Sequence, residues 1–186
     1  MAAEALAEFA LPARNLSQAV MARRNALKCY ESREWLNYDA RYPPSPVDRQ
    51  VDHALLLNDL GGCLARYGAV VDSVASIEQG LAVLARADTA WKFKQNRSPY
   101  GAFLQNMGSA FRMRGELTGR VADLDSAVVW LRSALAVRTP SESPGSYSKT
   151  KAEQAAVSLA RARLTGDVRR TAALLEETLI HLTTAR

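Results

Sequence analysis

Two histidines, His53 and His181, are the whole supply of imidazole in this 186-residue chain, so a histidine-dependent catalytic dyad has few places to form. His53 stands beside Asp52 and near Asp48, an acid-and-imidazole grouping that would bind a divalent metal only if three or four ligands converged. The spacing matches no recognised ligand pattern, and capping or surface roles suit both histidines better. The sequence contains no Gly-rich phosphate loop, nucleophile elbow or HExxH. One segment has the makings of a small-molecule pocket: REWLNYDARYPP, residues 33–44, in which Trp35, Tyr38 and Tyr42 are set among charged groups. Aromatics with polar handles are common on binding surfaces. The bland reading of Trp35 and Tyr38, three apart, is that they cap the open end of a helix pair. No catalytic residue, no metal and no cofactor is expected.

The elements that must carry these residues read as helices. Nearly half the chain is apolar, at 48%, with only 7% aromatic residues, and alanine and leucine stand where a sheet protein would use valine and isoleucine. The formal charge of +5 and pI near 9.5 raise nucleic acid as a partner. The signs are mixed along most of the chain, however, and the densest basic patch, residues 91–97, is short and reads as an inter-helix linker. Nucleic acid is therefore not the expected partner. Cys29 and Cys63 each fall in a helix-like apolar pattern and form no CxxC, which suggests two buried thiols in a reducing compartment. Glu4 and Glu8 argue against a leader peptide, and no window approaches the ~20 apolar residues of a membrane span. A cytoplasmic protein without a membrane partner is expected.

Shifting the sequence by 47 positions pairs Leu57 with Leu104, Leu60 with Met107, Gly61 with Gly108, Leu64 with Phe111 and Gly68 with Gly115. In the second half of the unit the same shift pairs Ile77 with Leu124, Leu81 with Val128, Leu84 with Leu131, and Val74 with Val121 and Val168. Both halves carry apolar residues in steps of three and four, which line one helix face, so each unit reads as helix, turn, helix. Gly68 and Gly115 are expected to end the first helix in a left-handed conformation. Asp72 and Asp123 are expected to cap the second. Gly61 and Gly108 interrupt good helix patterns at about 1 kcal/mol each, which a close neighbouring helix would explain.

Segments rich in Pro, Ser and Gly at 40–50, 95–101 and 139–149 read as loops. One helical-repeat domain over 1–186 follows, with an N-terminal helical half-repeat at 1–39 and repeats at 53–94, 101–138 and 150–184. In the half-repeat, residues 16–30 follow the pattern of 124–138, and the missing first helix would come from residues 2–10.

Leu57, Leu60, Gly61 and Leu64, then Leu104, Met107, Gly108 and Phe111, with Ala127, Leu131, Ala134 and Pro140 after them, resemble the tetratricopeptide repeat (TPR) family. The wording LTGRVADLDSAVVWLRSAL, residues 117–135, is similar to the long-period variety found beside CHAT protease-like domains and in NLR-type sensor proteins. The period of 47, against about 34 for common members, also suits HEAT-like repeats; the glycine positions favour the TPR likeness. The resemblance implies an all-α fold, a right-handed α-solenoid of about three helix-turn-helix repeats.

It also implies a protein or peptide segment held on the concave face of the first helices. By helical phase that groove takes Asn58, Asp59 and Arg66 from one unit and Gln105, Asn106, Ser109 and Arg112 from the next, with Lys149 and Glu153 at the third. Asn106 with Arg112 partly matches the family's carboxylate clamp. The function expected is a non-enzymatic protein-binding scaffold module. The alternative is a small-molecule-binding protein or small biosynthetic enzyme whose pocket joins Trp35, Tyr38 and Tyr42 to first-helix polar residues. Self-association through the terminal helices, including Leu174, Leu175, Leu179 and Leu182, is a further expectation.

Overall fold

In the computed structural model the backbone is described for residues 2–32, 46–90 and 97–166, and the side chains for residues 12–32, 49–88 and 99–166. Six helices occupy these residues: α1 (Ala2–Glu31), α2 (Pro46–Val70), α3 (Val74–Ala90), α4 (Arg97–Thr118), α5 (Val121–Val137) and α6 (Pro144–Thr165). No strand occurs among the described residues, so the all-α expectation holds. None of these helices is long and apolar enough to cross a membrane. The chain divides into two compact units, residues 1–93 with α1 to α3 and residues 94–186 with α4 to α6.

Left-handed backbone occurs at three described residues, Asp72 (φ 52°), Gly119 (φ 71°) and Gly166 (φ 72°), spaced 47 positions apart. Each follows the end of a first helix. After α2 the Ser73 N–H donates to the Gly68 carbonyl at 2.8 Å, the closing bond of a Schellman turn; after α6 the Gly166 N–H donates to the Ala162 carbonyl at 2.8 Å, the simpler left-handed cap. This corrects the expectation for Gly68 and Gly115. Both are helical and buried, and the left-handed residue comes four positions later, at Asp72 and Gly119.

The two glycines instead serve close approach. A Cβ built on Gly68 would stand 2.7 Å from Ile77 Cγ1, and one on Gly115 would stand 2.8 Å from Leu124 Cδ2. The same register holds one step along the hairpin, where Gly61 meets Leu84 Cγ at 2.6 Å and Gly108 meets Leu131 Cγ at 2.7 Å. Gly61 and Gly108 therefore lie in like surroundings, and α2–α3 and α4–α5 are antiparallel hairpins with corresponding contacts.

The capping expectation fails for both acids. Asp72 occupies the left-handed position, and Ser73 caps α3 with its Oγ accepting the Ser76 N–H at 3.3 Å. Asp123 sits in the first turn of α5, where its charge suits the positive helix end, but its carboxylate takes two bonds from Arg114, at 2.9 and 2.7 Å. That bidentate pair clamps the end of α4 to the start of α5. The first helices also begin inside segments that the sequence assigns to loops: α2 at Pro46, α4 at Arg97 and α6 at Pro144. Pro46, Pro99 and Pro144 all lie in first turns, where a missing N–H costs nothing.

In the first unit α1 is one helix, not a helix pair, with residues 2–10 continuous with the rest. It buries Val20 and Leu27 against α2, while Ala26 is exposed. In α5 the equivalents of Ala19 and Ala26, Ala127 and Ala134, are the fully buried ones. So α1 is turned about its axis by roughly one residue, 100°, relative to a second helix. The turn also leaves Cys29 exposed; Cys63 alone is buried, which corrects the expectation of two buried thiols. In the second unit Leu124, Ala127 and Leu131 of α5 form a core with Val157 and Ala160 of α6.

Candidate functional site

Gln105, Ser109, Arg112 and Glu116 follow one another at steps of four, three and four along α4, so they form one polar stripe on the helix. The stripe lies against α6, where Thr150 and Glu153 are three apart. Ser109 Oγ donates to Glu153 Oε1 at 2.7 Å and Arg112 Nε to Glu153 Oε2 at 2.9 Å. On its other edge Arg112 Nη1 donates to Glu116 Oε2 at 2.7 Å. The Arg112 and Glu153 side chains are only 17% and 20% exposed. Burial pushes the Arg112 guanidinium down, but Glu153 and Glu116 outweigh it and hold the group above the usual arginine value. Arg112 is thus engaged by two carboxylates of its own chain, and a ligand carboxylate would have to displace one of them.

Farther along the same seam Arg138, the residue after α5, runs back between the two first helices. Its Nη1 donates to Gln105 Oε1 and, at 3.2 Å, to Thr150 Oγ1. The Thr150 hydroxyl lies 3.0 Å from Gln105 Oε1 and 2.9 Å from the Ser146 carbonyl; with one proton it donates to one of them at a time. Gly101 makes room for the arginine, since a Cβ there would stand 2.7 to 3.1 Å from Arg138 Nε, Cγ and Cδ. Sequence reasoning missed Arg138, Thr150 and Glu116. The only trace of Arg138 in the sequence is a glycine in the second turn of α4, which nothing local demands.

The remaining expected groove residues are less coherent. Asn58 is buried, at 3% exposure, beside Asp59, whose Oδ1 lies 3.5 Å from Asn58 Nδ2. Asp59 and Arg66 are exposed, and Arg66 leans on Cys63 Sγ at 3.4 Å. Asn106 is half-buried one position off the α4 stripe, and Lys149 is exposed. Trp35, Tyr38 and Tyr42, His181, the 91–96 patch and the apolar residues from Leu174 to Leu182 lie outside the described residues, as does the Asp48 side chain.

The first unit has its own feature between α1 and α2. An open, largely apolar hollow of about 490 Å³ is lined by Ala26, Cys29, Tyr30, Asp52, Leu55 and Leu56. At its edge Tyr30 stacks on His53 with centroids 5.6 Å apart, and its hydroxyl donates to the Arg49 carbonyl. Glu31 receives His53 Nε2 at 3.1 Å and Arg86 Nη2 at 2.8 Å, joining all three helices of the unit. His53 therefore sits in the second turn of α2 as a structural link. Among the described residues no three His, Cys, Asp or Glu converge as a metal site would require.

No protein-family model matches the chain, and neither a curated protein sequence nor a solved structure matches it.

Proposed function

We propose that this chain is a non-enzymatic interaction module, a TPR-like right-handed α-solenoid of about three hairpins in which the polar face of the first helices receives a protein or peptide segment. The observation that carries the reading is the 47-residue register itself: left-handed residues at 72, 119 and 166, and glycine–leucine contacts that recur from Gly61 to Gly108. Hairpins made to one template repeat the same polar face, which suits recognition. On α4 that face offers Asn106, Ser109 and Arg112, with Glu153 from α6. Two carboxylates surround one guanidinium there, so a segment bearing a basic side chain suits the stripe better than one ending in a carboxylate.

The test uses a partner recovered by affinity capture and then measured in purified form. Asn106→Ala and Glu116→Gln should weaken binding, whereas Val129→Arg, at a residue 62% exposed on α5, should leave it unchanged. The reverse pattern would end the assignment. The hollow between α1 and α2 favours a second reading, a small apolar ligand in the first unit, which native mass spectrometry of protein from its own host would reveal as a co-purified mass.

A further inference from the structure

A guanidinium has no deprotonated form at ordinary pH, so burying one calls for an anion nearby. Arg114 has Asp123 and Arg112 has Glu153 and Glu116, but Arg138, only 6% exposed, faces two neutral groups, the Gln105 amide and the Thr150 hydroxyl. No carboxylate lies within ion-pair distance of it among the described residues. Its Nε is buried with no hydrogen-bond partner. Both hydrogen bonds that it makes leave from Nη1, so the Nε–Nη2 edge, the side-on fork that matches the two oxygens of a carboxylate or phosphate, makes none to the protein among the described residues.

The surroundings add donors and no acid: the cluster lies in the second turn of α6 and the third turn of α4, and neither helix has an acid in its first turn. The Gln105 side-chain amide, whose oxygen takes the Arg138 proton, has its own two donors without a described acceptor. Burial also pushes the arginine below its usual value, the direction expected of a cation without a counter-charge. We propose that the Nε–Nη2 edge of Arg138, flanked by Gln105 and Thr150, is an oxyanion seat that takes the carboxylate or phosphate group of a ligand. The seat shares Gln105 with the Arg112 stripe, and it does not depend on the solenoid reading.

Titration of the ¹⁵N-arginine-labelled chain with sodium phosphate, with sodium acetate and with sodium chloride at matched ionic strength tests the proposal. The Nε–H resonance of Arg138, assigned by its loss in Arg138→Lys, should shift saturably with at least one oxyanion and not with chloride. A response to phosphate alone identifies a phosphate seat, to acetate alone a carboxylate seat, and to both a general oxyanion seat. Saturating oxyanion should also raise the melting temperature of the wild type, and Arg138→Gln should weaken that binding by about tenfold or more, while Arg112→Gln keeps it. Absence of a saturable shift with either oxyanion overturns the proposal, and so does an equal melting response in wild type and Arg138→Gln. Should Arg138→Gln fail to fold, the wild-type resonance and Arg138→Lys decide alone.

Discussion

Gly61 and Leu84 meet so closely that a methyl group on the glycine would stand 2.6 Å from the leucine Cγ and 2.8 Å from the Gly80 carbonyl oxygen. A leucine tip can move aside, but a backbone carbonyl cannot. Overpacking of this kind costs about 1–3 kcal/mol, against about 1 kcal/mol gained when alanine replaces glycine in a helix. The backbone contact puts Gly61→Ala toward the upper end of the difference, a destabilisation of up to about 2 kcal/mol. At Gly108 the nearest backbone oxygen, that of Ala127, is 3.3 Å away and only Leu131 atoms stand closer, so Gly108→Ala should remain within about 1 kcal/mol of wild type. Thermal melts of the two variants check the order, and a Gly61→Ala chain as stable as wild type would refute the contact.

Asp72 occupies with φ 52° the place that glycine fills at 119 and 166. Left-handed backbone costs a residue with a side chain about 1–2 kcal/mol, less for Asp, while glycine loosens the unfolded chain by about 0.4–1 kcal/mol. Asp72→Gly should stabilise by about 0.5 kcal/mol, and Asp72→Val should destabilise by about 1 kcal/mol. A valine variant that melts with the wild type would show that the turn relaxes.

Glu153 joins α6 to α4 through Arg112 and Ser109. Both charged side chains are mostly buried, so the pair should couple more strongly than a surface pair. A double-mutant cycle with Arg112→Ala and Glu153→Ala should return a coupling of about 1–2 kcal/mol, with little dependence on salt. Additive losses would mean that the pair does not fasten the two helices.

Tyr30 supplies a pH dependence. Burial, then the nearby Asp52, holds its phenol above the usual tyrosine value, with Arg49 opposing. A folded pKa above the unfolded one favours the native state while the phenol is protonated, so the contribution is complete below about pH 10 and vanishes as pH rises through the folded value. The wild-type melting temperature should fall more steeply than that of Tyr30→Phe from pH 10 upward. Parallel curves would remove Tyr30 from the account.

The hairpins were legible in the sequence because apolar spacing and glycine both report on packing, and packing repeats: Leu57 with Leu104 and Gly61 with Gly108 needed only a shift. Helix ends were less legible. Gly68 looks like a terminator until its burial against Ile77 is known, and the serine- and proline-rich segment before Thr150 hides the first turns of α6. The site was half legible. Helical phase placed Ser109, Arg112 and Glu153 on faces that do meet, but Arg138 reaches back from the end of a different helix, and no local spacing encodes that path. Asn58 has the right phase for a groove yet is buried beside Asp59, since phase gives direction but not depth.

Because Asp72 and Gly119 hold the same left-handed backbone, the chain from 73 to 119 spans one full period between equivalent corners. Excising it would splice α2 onto α5 through an intact corner, bring Gly61 opposite Leu131, and yield a shorter protein whose joint was never disturbed.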